Sequence, residues 1–140
     1  MSVQDTESTI SAYLSALMSG SDFGSYFAED VLWITMENGD QVRGRQEVTD
    51  YIIALHTQVF AASPELVKVA YGNGLAILEA VFVGTHTGAF GDIPATAVQV
   101  RLPYCVAYTI ADGKITELRA YLSVLALRQQ LTGGATGTPA

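Results

Sequence analysis

The chain has 140 residues, 49% hydrophobic and 15% charged, which fits one packed domain and excludes both a disordered chain and a two-lobed enzyme with separate cofactor and substrate domains. Seven Lys and Arg against fourteen Asp and Glu give a net charge of −7, which repels nucleic-acid phosphates and anionic membrane surfaces, so neither is an expected partner. One cysteine, Cys105, and two histidines, His56 and His86, are too few for an internal disulfide or a Cys/His zinc site, so metal is not expected at the centre of the chemistry; no cofactor is expected either.

The opening MSVQDTEST has no basic run leading into an apolar one, and no stretch reaches about 18 apolar residues, so a cytoplasmic location is expected. Ile10, Tyr13, Leu14, Leu17 and Met18 recur at helical spacing, with Thr6 or Ser8 as the expected cap and Gly20 as the stop. A turn carrying Phe23, Tyr26 and Phe27 leads to a β-branched and aromatic strand, Val31 to Met36, closed by Asn38-Gly39-Asp40. Val48, Ile52, Leu55 and Val59 share one helical face and predict a second helix over about 46–60, with Pro64 beyond its end. Four strands follow at about 65–71, 75–86, 97–110 and 114–122, with Asn73-Gly74 and Asp112-Gly113 as hairpin turns and 87–96 as a longer loop. Ser123 to Leu131 is expected to turn helical, and the Gly/Thr-rich tail 132–140 to fray, leaving 1–131 as the single domain. Helices first and a long, mainly antiparallel sheet afterwards make an α+β fold, with helices covering one face of a sheet bent enough to enclose a cone-shaped cavity.

Several segments in order carry a resemblance: Tyr26-Phe27-Ala28-Glu29-Asp30-Val31, Val42-Arg43-Gly44-Arg45, Gly84-Thr85-His86-Thr87-Gly88 followed by Ile93-Pro94, then Asp112-Gly113-Lys114-Ile115 and Gln129-Gln130-Leu131. Together they resemble the NTF2-like superfamily and, within it, the SnoaL-like polyketide cyclases, over about residues 8–132. The resemblance implies an NTF2-like cone, usually dimeric, that holds a hydrophobic ligand. It does not carry the chemistry over. The acid/base aspartate of those cyclases falls on Ala120 and their pocket histidine on Val106. Limonene-epoxide-hydrolase-like enzymes use an Asp–Arg–Asp set with a Tyr and an Asn; here Ala120 takes the closing aspartate position, Trp33 and Thr35 replace the Tyr and Asn, and Glu79 lies near the arginine's place. Steroid isomerases of this fold have a helix-one tyrosine that Tyr13 matches, but their base falls at Thr35 and their second acid near Val106.

Glu79, in the apolar run Ala76 to Phe82, is the first catalytic candidate: a carboxylate there would lose hydration and hold a raised pKa suited to acid/base work, and its match to a hydrolase pocket position puts it inside. His86 is the second, as the one histidine on the sheet. The opposing readings are an outward Glu79 paired with a basic residue, and a His86 bonded to backbone where the strand turns. Asp92, in a Gly/Pro loop, is a weaker candidate. Tyr13 is expected to donate a hydrogen bond to a carbonyl or enolate oxygen, and Trp33 and Thr35 to line the cavity. Since the family's catalytic position is Ala120, strand parity sends Leu118, Ala120, Tyr104, Val106 and Tyr108 inward, and Arg101, Glu117, Arg119 and Tyr121 outward. That outer face is the expected homodimer interface. Two functions stay open: a cofactor-independent cyclase, isomerase or hydrolase acting on a hydrophobic polyketide- or terpenoid-like molecule, including an epoxide hydrolase with an altered catalytic set, or a non-catalytic ligand-binding or assembly module.

Overall fold

The protein is described by a computed structural model over residues 2–133. Its elements in chain order are α1 (Val3–Ser19), β1 (Phe27–Thr35), β2 (Asp40–Arg43), α2 (Arg45–Ala54), β3 (Phe60–Ala62), β4 (Glu65–Gly72), β5 (Leu75–His86), β6 (Gln99–Ala111), β7 (Lys114–Tyr121) and α3 (Val124–Thr132). A 3₁₀ turn, Gly24–Tyr26, precedes β1, and a π-helical turn, Leu55–Val59, follows α2. The strands form one sheet in the order β2-β1-β7-β6-β5-β3, with β4 also paired to β5; β1 and β7 run parallel and every other pair antiparallel. The fold is α+β, with three helices and a strongly curled sheet.

The hairpin turns follow backbone chemistry. Gly74, Asp112 and Gly113 all sit at positive φ, which Gly and Asp tolerate better than most residues, and the strands on either side end within two residues of the predicted bounds. β5 is held twice: Leu75 to Val81 pair with β4, and Gly84 to His86 pair with β3. One long strand thus serves two partners, and the sheet bends between them.

Several boundaries differ from expectation, among them the start of β1 at Phe27 where Val31 was expected. α1 is capped by Ser2, whose hydroxyl accepts from Asp5 N–H (3.0 Å) while the Asp5 carboxylate accepts from Ser2 N–H (3.2 Å), a reciprocal capping box. Thr6, one of the expected caps, is instead fully buried and accepts from Gly74 N–H (2.9 Å), tying the helix to the β4–β5 turn. The second helix leaves α-geometry after Ala54, five residues of it becoming the π-helical turn, and Phe60 begins β3. Thr132, expected in a frayed tail, instead ends α3, and Gly133 caps it at φ 67; the rest of that tail, residues 134–140, lies outside the described residues.

Register decides which side chains face the helices. One inward row runs Tyr71, Ala76, Tyr108, Leu118, Trp33, and the next Val69, Leu78, Val106, Ala120, Thr35. Along β5 the even-numbered residues Ala76, Leu78, Ala80 and Phe82 are buried. Glu79, an odd-numbered residue, is exposed on the outer face, in register with Cys105 on β6 and Lys68 on β4. Its expected inward position is therefore corrected by the alternation of the strand itself.

Candidate functional site

The curled sheet, α1, α2, the π-helical turn and α3 line a cavity of about 100 Å³. All seven residues expected to meet a substrate, Tyr13, Trp33, Thr35, Tyr104, Val106, Leu118 and Ala120, line this cavity. Val106 and Ala120 are direct cross-strand partners on neighbouring strands, so the two positions to which the resemblance would assign acid/base groups form one apolar patch here.

Neutral hydrogen-bonding groups supply the polarity of the wall. Trp33 Nε1–H donates to Thr35 Oγ1 (3.0 Å), which fixes the indole. The rings of Tyr13 and Tyr108 pack edge to face at 5.8 Å, and Trp33 leans on Tyr51 at 5.3 Å. His86 Nε2 is the only fully sealed side-chain polar atom without a partner among the described residues, so the unbonded hydroxyls of Tyr13, Tyr104 and Tyr108, all on the cavity wall, are not fully closed off. Burial raises all three phenols, Tyr104 to about 12 and the other two further. They stay protonated at neutral pH and act as donors.

Sequence reasoning did not propose His56 or Tyr51 for the site, yet both line it. His56 lies in the π-helical turn, its ring edge to face with Phe82 at 5.6 Å. Its Nδ1 is 2.8 Å from the carbonyl oxygen of Ile52. A carbonyl only accepts, so Nδ1 carries the proton and Nε2 is left as a bare acceptor. Burial lowers the His56 pKa below its ordinary value, partly opposed by the Ile52 bond. Thr57 makes the same backward bond to Ile53 O (2.7 Å), so two consecutive side chains brace the turn. The signal was available: 52, 55, 56 and 59 are spaced i, i+3, i+4, i+7, which puts His56 on the apolar face of the second helix.

An outer recess of about 360 Å³ adjoins the cavity and shares Leu17, Met18, Ile52, His56 and Pro64 with it. Those five form the neck, and His56 is the polar one among them. Neither the cavity nor the recess is lined by Asp, Glu, Lys, Arg or Cys.

The two expected catalytic residues lie elsewhere. Glu79 is on the outer face, as described above. His86 is fully buried at the end of β5 but does not line the cavity; its Nδ1 faces the N–H (3.2 Å) and hydroxyl (2.9 Å) of Thr96, and its ring stacks at a tilt on Phe60. With Nδ1 accepting, the proton sits on Nε2, and the histidine pins the loop after β5 to the strand. Asp92 is exposed and paired with Arg128 (2.9 Å), which lowers its pKa.

The profile of the SnoaL-like polyketide cyclases matches residues 12–131. The chain belongs to that family. No curated protein sequence matches this SnoaL-like protein significantly. Solved structures similar to it include a candidate SnoaL-like polyketide cyclase from Jannaschia sp. CCS1 (TM-score 0.82, 17% identity, 92% of each chain covered). A protein with a ketosteroid isomerase-like fold from Catenulispora acidiphila, in complex with trimethylamine, superposes with TM-score 0.72 at 20% identity, over 96% of this chain and 99% of that one. An epoxide hydrolase of the limonene-epoxide-hydrolase-like type from M. tuberculosis gives TM-score 0.72 at 15% identity, over 96% of this chain and 94% of the other. At these identities the likeness establishes a shared fold. Among the described residues, no three His, Cys, Asp or Glu side chains of this SnoaL-like protein come together as a metal site, and no helix is long and apolar enough to cross a membrane.

Proposed function

We propose that this SnoaL-like protein is a cofactor-independent small-molecule enzyme whose cavity takes a neutral, hydrophobic, carbonyl-bearing compound of polyketide or terpenoid type and cyclises or isomerises it. The observation that carries this reading is the wall itself: apolar side chains interrupted only by neutral groups, with three protonated phenols able to donate to a carbonyl oxygen. A charged ligand would leave its counter-charge outside, which is costly in an apolar enclosure. Epoxide hydrolysis of the carboxylate-driven kind is disfavoured, because no Asp or Glu lines the cavity.

Calorimetric titration with 2-tetralone, a neutral bicyclic ketone, tests the reading. Saturable binding is expected in the wild type and is expected to vanish in Val106→Trp and Ala120→Trp, with thermal stability largely kept because the added bulk enters empty space. Absence of binding in the wild type would overturn the reading. The apolar patch at Val106 and Ala120 favours a second reading, a non-catalytic binding module; binding without any chemistry on the bound ketone would support it.

The outer sheet face supports a homodimer. It exposes Leu75, Ile77 and Tyr121 around an Arg119–Glu117 ion pair, with Arg101 held by Glu65 (2.8 Å) at its border. Arg119→Glu, setting two acids side by side, is expected to lower the mass measured by light scattering; an unchanged dimer would move the interface elsewhere.

A further inference from the structure

Three features single out one cavity residue. His56 stands at the neck, lining both the cavity and the recess. Its Nδ1–H is committed to Ile52 O, so Nε2 is the free basic nitrogen. That nitrogen is not among the sealed, unpartnered atoms, so it is not fully closed off by protein. The elements around the ring present Leu17 and Met18 from α1, Phe82 from β5 and Ser63 and Pro64 from the β3–β4 turn, none of them titratable.

We propose that His56 is the general base of the site: Nε2 removes the acidic proton from the carbon beside the carbonyl of a neutral substrate, while a tyrosine hydroxyl of the inner wall donates to the enolate oxygen that forms. The proposal rests on the reading of the cavity as a site for carbonyl compounds. The carbon–hydrogen bond breaks, its electron pair becomes the carbon–carbon double bond, and the carbonyl π pair moves onto oxygen. The proton is held on Nε2, giving an imidazolium whose Nδ1–H remains bonded to Ile52 O. It returns either to a carbon of the same molecule, which completes an isomerisation, or to the alkoxide oxygen left when the enolate carbon attacks a second carbonyl of the same chain, which completes a ring closure. No external oxidant, reductant or co-reactant enters. Burial supports the role by keeping the imidazole neutral, and Tyr13, Tyr51, Tyr104 and Tyr108, the other titratable groups on the wall, are all shifted upward.

The proton step can be read without the natural substrate, as deuterium exchange at the benzylic C1 of 2-tetralone in D₂O, followed by NMR. The wild type is expected to accelerate exchange over a buffer control, with kcat/KM rising to a plateau through an inflection below pH 6.5. His56→Asn keeps an amide N–H near the place of Nδ1 and deletes Nε2; it is expected to lose exchange by on the order of 10²-fold or more while still binding the ketone. Wild-type exchange in His56→Asn, or a wild-type rate that follows hydroxide concentration with no inflection, would overturn the role of His56 while leaving the cavity reading intact. A wild type that binds the ketone without accelerating exchange would overturn it equally. A wild type that does not bind the ketone sinks the cavity reading, and the base falls with it. The pH profile is measured on the wild type, so the proposal stays testable should the variant fold poorly.

Discussion

The two histidines of this chain make opposite use of the same side chain. Both rings lie against a phenylalanine, His56 against Phe82 and His86 against Phe60, and Phe60 and Phe82 touch each other at 5.1 Å. Yet His56 donates through Nδ1 to a carbonyl and leaves its basic nitrogen unpartnered and unsealed, whereas His86 accepts through Nδ1 from Thr96 and has its remaining nitrogen sealed. One hydrogen bond thus selects the tautomer, and the tautomer decides whether an imidazole serves as a base or as a strut. Histidine content alone carries no such information.

The largest effect that would break this contrast is structural. His86→Leu removes the acceptor for two Thr96 donors and is expected to cost about 1–3 kcal/mol, read by thermal or denaturant unfolding, while 2-tetralone binding is retained. Loss of binding at full stability would mean that His86 serves the cavity after all. A smaller effect sharpens the contrast through pH. The folded His56 binds its proton less readily than the unfolded one, so the unfolded state takes up more protons as pH falls. The stability His56 contributes is complete above about pH 6.5 and is lost as pH falls from there toward the lowered folded pKa. Subtracting the stability curve of His56→Asn from that of the wild type should isolate this loss; a difference that does not change with pH would show that His56 keeps its ordinary pKa. The smallest expected effect belongs to neither histidine. Glu79→Gln, on the outer face, is expected to change stability by no more than about 0.5 kcal/mol and to leave exchange untouched. A large loss of exchange would restore Glu79 to the mechanism.

Why Glu79 was misplaced, and the wall was not, follows from the two faces of β5. Alternation shows when one face is apolar and the other polar, but here the outer positions Leu75, Ile77 and Val81 are apolar too, so the run Ala76 to Phe82 looks apolar throughout and hides its parity. On β7 the outer positions are Glu117, Arg119 and Tyr121, the contrast is sharp, and Leu118 and Ala120 were placed correctly. β2 and β3, of four and three residues, are too short for any period to show. The start of α1 was unreadable for a related reason: its first turns are mostly exposed, so the apolar stripe begins well after the backbone helix does. Tautomer and neck position are tertiary facts. They depend on which carbonyl meets a ring nitrogen and on where α1 ends relative to the π-helical turn.

That turn also sets a phase. A π-helical turn takes more residues to close than an α-helical one, so the segment from Leu55 to Val59 uncouples the angular position of α2 from the register of β3. His56 is tied back to α2 by its bond to Ile52 O, and Phe60, four residues on, is held by its pairing with His86 on β5. Substitutions within the turn can therefore be absorbed side chain by side chain, whereas a single insertion or deletion between His56 and Phe60 would make the molecule give up either the helix phase or the strand register.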